Sequence, residues 1–146
     1  MIFSVLVLGA PYSSGASYSA YRFAQAALDA DHNESHNKNH SANHNECHTI
    51  HRIFFYQDGI HSSSQLATPP QDEFNLYQAW QDLQSTYDLD LVTCIAAAVR
   101  RGVIDSGEAK RHNKLQHNMS TNFSLSGLGQ LVEANALSDR VITFGR

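Results

Sequence analysis

Apolar residues follow two rhythms along this chain. Ile2-Phe3-Ser4-Val5-Leu6-Val7-Leu8 is a near-continuous, partly β-branched run that ends at Gly9-Ala10-Pro11. That is how a strand buried on both faces of a parallel sheet reads. After the turn residues Ser13-Ser14-Gly15, apolar positions recur at three- and four-residue spacing: Ala16, Ala20, Phe23, Ala24 and Ala27. This spacing predicts an amphipathic helix. Ile53-Phe54-Phe55-Tyr56 predicts a second strand, stopped at Gln57-Asp58-Gly59. Beyond Thr68-Pro69-Pro70, a helix is expected to start at Asp72-Glu73, where carboxylates suit the helix dipole, with Phe74, Tyr77, Trp80, Leu83 and Tyr87 on its inner face. Leu89 to Cys94 predicts a third strand, and Ile95 to Arg101 a short helix stopped by Gly102. The polar stretch from Ser106 to Asn122 holds another short helix. Leu125 to Leu137 carries apolar residues at Leu128, Leu131, Val132 and Ala136, and Arg140 to Phe144 closes the chain as a strand.

Strands alternating with helices imply right-handed crossovers, so the expectation is an α/β fold: one domain over residues 1–146, with a parallel sheet and helices on both faces. At 146 residues the chain has the length of one such domain. In sheets of this kind the reactive site lies beyond the carboxyl ends of the strands. Three loops qualify: Gly9 to Gly15, Asp58 to Pro70, and the turn at Cys94. A formal charge of −4 offers no basic field for phosphates, so direct nucleic-acid binding is not expected. Two cysteines make no disulfide framework. The apolar run Ile2–Leu8 is too short to span a bilayer and follows no Lys or Arg, so neither a membrane span nor a secretory signal is expected, and the cytoplasm is the default location.

Residues 32 to 49 interrupt this framework as a His/Asn-rich, low-complexity insert, with His32, His36, His40, His44 and His48 four residues apart. On a helix that period would align a metal-binding stripe. Against it, the run of Asn and Ser has poor helix propensity and nothing to bury, which favours a solvated loop. The short connection a helix-to-strand link needs makes the stretch an insertion, and no metal site is assigned to it.

Cys94 stands where a strand hands over to a helix, near unpaired backbone N–H groups, and such settings favour the nucleophilic thiolate. The competing reading is inert packing, since free cysteine is often buried. No second cysteine forms a dithiol motif, and no His-Asp relay is evident nearby, which leaves sulfur or acyl carriage as the chemistry open to an exposed thiolate. Arg100 and Arg101 read as helix C-terminal charges and are left out of the site. Ser124, Ser126, Gly127 and Gly129 resemble an anion-cradling turn, but close packing explains them equally well, and they are assigned no role.

The run Cys94 to Asp105 (CIAAAVRRGVID), with Phe54 to Gly59 (FFYQDG), Asp72-Glu73-Phe74, Ala79-Trp80 and Phe123 to Gly129 (FSLSGLG), closely resembles the TusD-type sulfurtransferase subunits of the DsrE/DsrF family, over nearly the whole chain and in the family's order. The insert is the departure from the pattern. The resemblance implies a flavodoxin-like parallel sheet and a persulfide relay with Cys94 as the sulfur-accepting residue, while Cys47 inherits no role. It implies a TusA-like donor, a TusE-like acceptor, a heterohexamer with TusB-like and TusC-like subunits, and 2-thiouridine at the tRNA wobble position as the destination. Two thiol exchanges need neither metal nor organic cofactor. Two other readings stay open: a noncatalytic structural subunit, and a flavodoxin-like nucleotide- or flavin-binding domain whose Gly9–Gly15 loop lacks both G-x-G-x-x-G and a Walker lysine.

Overall fold

The computed structural model of the protein describes residues 1–34 and 48–145. Five parallel strands form one sheet in the order β4-β3-β2-β1-β5: β1 Ile2–Val7, β2 Thr49–Phe55, β3 Leu91–Cys94, β4 Ser124–Ser126 and β5 Arg140–Phe144. The helices are α1 Gly15–Glu34, α2 Leu76–Tyr87, α3 Ile95–Arg100, α4 Ser106–Arg111 and α5 Gly129–Leu137, with a 3-10 turn at Gln57–Ser63. The expected α/β architecture is present.

The chain lays β1 to β4 side by side in one direction, and α5 then carries it back across the sheet to β5. Crossovers of one hand therefore put α1 and α2 on one face and α5 on the other. Side chains agree with this. Phe3 meets Phe23 of α1 edge-on, and Phe55 meets Trp80 of α2. On the opposite face Ser4 Oγ bonds Ser138 Oγ at 2.7 Å, and Arg52 reaches α5. Buried Arg52 donates to Asp90 at 2.6 Å, to Glu133 at 2.8 Å and to the Gln130 carbonyl at 2.9 Å, so its charge is paired rather than stranded.

Three boundaries differ from the sequence reading. The second helix starts at Leu76, not at Asp72-Glu73, because Asn75 caps it by accepting from Gln78 N at 3.0 Å while Glu73 N bonds back to Pro70 in a turn. Its buried face is Leu76, Ala79, Trp80 and Leu83. Phe74 precedes the helix and packs, half exposed, against Tyr18 and Tyr21. Strand β4 falls within a stretch read as turn chemistry. The first helix runs on through His32 and Asn33 to Glu34, and β2 opens at Thr49, so these residues are part of the framework rather than of a loop. The rest of the His/Asn stretch, residues 35–47, with His36, His40 and His44 of the four-residue histidine repeat and Cys47, lies outside the described residues. The stop at Gly102 holds: with φ of 75°, it lets Val103 N reach the Ala98 carbonyl and Gly102 N the Val99 carbonyl, closing α3 in a Schellman arrangement. No described helix is long and apolar enough to cross a membrane.

Candidate functional site

The carboxyl ends of β1 and β2 converge through short backbone contacts. Tyr56 N donates to the Val7 carbonyl at 2.9 Å, and Gly59 N to the Leu8 carbonyl at 3.0 Å. Gly59 sits so close to β1 that a Cβ there would lie 2.2 Å from the Val7 oxygen, which explains why the turn after β2 uses glycine. Two of the three expected loops meet here. Leu8, Gly9, Ala10, Ser13 and Ser14 join Gln57 and Asp58 around a polar cavity of about 480 Å³.

The far end of α3, the helix that follows the turn at Cys94, is tied to the second loop by an ion pair. Arg101, at the end of α3, donates to Asp58 at 2.8 Å and reaches the Ala97 carbonyl at 3.4 Å. Sequence reasoning left Arg101 out as a helix-end charge. The partner that gives it a positioning role stands 43 residues away, and local spacing carries no sign of it. Beside this pair a notch of about 140 Å³ is lined by Tyr56, Gln57, Ala96, Ala97, Arg100 and Arg101. Gln57 borders both hollows from a left-handed backbone conformation, φ 49°. That conformation is uncommon for a non-glycine residue, and its side-chain type gave no warning of it.

Cys94 ends β3 and occupies the N-cap position of α3, without a side-chain capping bond, at the strand-to-helix junction the sequence reading expects. Its expected exposure is overturned: the residue is 1% accessible in the chain alone and belongs to the main apolar cluster. Cys94 also pairs in the ladder with Ser126 of β4, so β3 is an inner strand of the sheet. Ser124 and Ser126 are strand residues in β4, and Gly129 opens α5, so these positions build the sheet and its crossover rather than a separate turn site. Among the described residues no three His, Cys, Asp or Glu side chains gather as a metal site.

Residues 1–144 match the DsrE/DsrF-like family. The chain belongs to that family. Similar relatives include DsrE of Allochromatium vinosum, 43% identical and covering 99% of each chain. Sulfurtransferase TusD of Proteus mirabilis is 40% identical over 99% of this chain and 98% of its own, and the sulfurtransferase TusD homolog of Vibrio vulnificus is 39% identical over 97% and 96%. The crystal structure of the ychN protein from E. coli shares the fold, with a TM-score of 0.66 at 18% identity over 99% of this chain and all of that one. Among this DsrE/DsrF-like chain's described residues, Cys94 is the one cysteine; it stands where β3 meets α3, the helix whose Ala96 and Ala97 line the notch, and lines neither hollow itself.

Proposed function

We propose that this chain is a sulfurtransferase that carries persulfide sulfur on Cys94. The observation that carries the reading is the position of Cys94 at the carboxyl end of β3, directly ahead of α3, in a chain whose relatives bear sulfurtransferase names. The Cys94 thiolate attacks the outer sulfur of a donor persulfide. A new S–S bond forms to Cys94, the donor's S–S bond breaks, and the donor leaves as a thiolate, with no net change in oxidation state. An acceptor thiolate then attacks the outer sulfur of Cys94–S–SH and restores the Cys94 thiolate. The donor is TusA-like and the acceptor TusE-like. The chain works in the cytoplasm within a heterohexamer containing TusB-like and TusC-like subunits, and the sulfur is destined for 2-thiouridine at the tRNA wobble position. Burial of Cys94 requires that the elements packed around it open, or that assembly rearrange them, before a partner's sulfur can reach it.

The same burial favours a second reading, a structural subunit in which Cys94 only packs. A relay assay separates the two. The assembled complex is incubated with a persulfide-charged donor, the donor is removed, and acceptor thiol is added. Sulfur recovered on the acceptor, with its loss in Cys94→Ser, supports the carrier. Equal transfer by the variant supports the structural subunit.

A further inference from the structure

The surface between α3 and α4 differs from the rest of the molecule in both shape and charge. A groove of about 900 Å³ there is lined by Leu66, Val99, Ile104 and Leu115, with His112 and His117 among its polar residues. Its frame is built by hydrogen bonds through Asn118. The Asn118 side chain accepts from Ile104 N at 3.0 Å and donates to the Gly102 carbonyl at 2.9 Å, and its own carbonyl accepts from Gln65 N at 2.8 Å. On this braced frame Leu115 is 98% exposed and Leu66 70%. Aliphatic side chains held in water by an ordered backbone mark a binding surface, and the ordering cost of binding is low because the frame is already fixed.

Charge sets the kind of partner. Of ten Lys and Arg residues in a chain of net charge −4, five lie at Arg100, Arg101, Lys110, Arg111 and Lys114. Arg101 is engaged by Asp58 and Arg100 lines the notch beside that pair, while Lys110, Arg111 and Lys114 face solvent on α4 and the turn after it. The two carboxylates of this stretch are occupied: Asp105 caps α4 through Glu108 N at 2.8 Å, and Glu108 lies against Arg111 and His112. Lys114 lines the groove and Lys110 and Arg111 stand exposed on the flanking helix α4, so three cations against these two carboxylates leave the surroundings of the aliphatic groove net positive.

We infer that this groove docks a protein partner through an aliphatic side chain flanked by carboxylates. No Phe, Tyr or Trp lines it, so it lacks the stacking surface on which single-stranded nucleic acid is held. A second copy meeting it in a two-fold contact would set the same cations against one another. The inference is independent of the chemistry at Cys94.

The full chain is titrated with a fluorescein-labelled synthetic peptide that has a central leucine flanked by glutamates, read by anisotropy. Saturable binding that weakens with added salt is expected. Leu115→Ser and the triple variant Lys110→Glu, Arg111→Glu, Lys114→Glu should each weaken it about tenfold or more, the effect of losing one anchoring contact. Because Leu115 is so exposed, Leu115→Ser keeps its fold, checked by unchanged far-UV circular dichroism. Absence of saturable binding, or equal affinity in both variants, overturns the inference. So does a single-stranded RNA oligonucleotide that binds more tightly than the peptide and is lost in the triple variant, or self-association in sedimentation that Leu115→Ser abolishes.

Discussion

Replacing Gly59 with alanine drives a methyl group into the point where the exit of β2 touches β1. An ideal Cβ at Gly59 lies 2.2 Å from the Val7 oxygen and 2.8 Å from the Val7 carbonyl carbon, roughly 1 Å or more inside ordinary contact. Neither side yields easily. The Val7 oxygen also holds Tyr56 N at 2.9 Å, and Gly59 N holds the Leu8 oxygen at 3.0 Å. Overpacking costs about 1–3 kcal/mol, and stretching one of these hydrogen bonds adds about 1 kcal/mol. Gly59→Ala should therefore lose about 3 kcal/mol. Gly102→Ala is the control: nothing lies within 4 Å of its ideal Cβ, and only its φ of 75° is strained. That strain costs about 1 kcal/mol. In urea unfolding, with a slope of about 2 kcal/mol per molar, the midpoint should fall by about 1.5 M for Gly59→Ala and about 0.5 M for Gly102→Ala, with unchanged slopes. Equal shifts, or a Gly59→Ala loss no larger than the control's, would refute the close approach of β1 and β2 that assembles the two hollows.

Arg52→Ala strands Asp90 and Glu133 and removes a link between β2 and α5; it should cost about 2–3 kcal/mol, below the range for fully buried pairs because both partners are nearly half exposed. Glu133→Gln keeps the Asp90 pair and should cost under about 1 kcal/mol, so equal losses in urea unfolding would contradict the pairing. The Tyr87 hydroxyl donates to Asp29 at 2.6 Å, and this hydrogen bond, with burial, raises the phenol from 10.0 to about 12. Because the folded state holds that proton more tightly, its stabilisation is complete below the unfolded value and is lost as pH rises from 10.0 to about 12. Tyr87→Phe should lose about 1 kcal/mol at neutral pH, discounted for solvent screening, and should flatten the stability profile over that alkaline window. Iodoacetamide should modify Cys94 at least about 100-fold more slowly in the native isolated chain than in urea, as expected of a thiol reached only by local opening; comparable rates would contradict its burial.

Four strands are legible in the sequence as apolar runs: Phe3–Val7, Ile53–Phe55 and Leu91–Cys94 are largely buried, where burial writes itself as hydrophobicity, and β5, only partly buried, still shows the run Val141-Ile142-Thr143-Phe144. Strand β4 escaped because Ser124-Leu125-Ser126 is three residues long and two of them are serine, so it is held by pairing to β3 rather than by its own composition. Cys94 stands at the strand-to-helix junction the sequence indicates, but inside the apolar cluster, on an inner strand, and not exposed. The start of α2 was misjudged because Asp72-Glu73 and Asn75 are both acceptable openings, and only the Asn75 contact with Gln78 N distinguishes them. The Arg101–Asp58 pair and the groove braced by Asn118 depend on contacts between distant segments, to which periodicity is blind.

The central claim is that the sulfur in transit rides on Cys94. The most direct measurement is the intact mass of the chain after incubation with a persulfide-charged donor, for the wild type, Cys94→Ser and Cys47→Ser. One added sulfur atom on the wild type and on Cys47→Ser, with none on Cys94→Ser, is the predicted result; an adduct that persists in Cys94→Ser, or disappears only in Cys47→Ser, contradicts it.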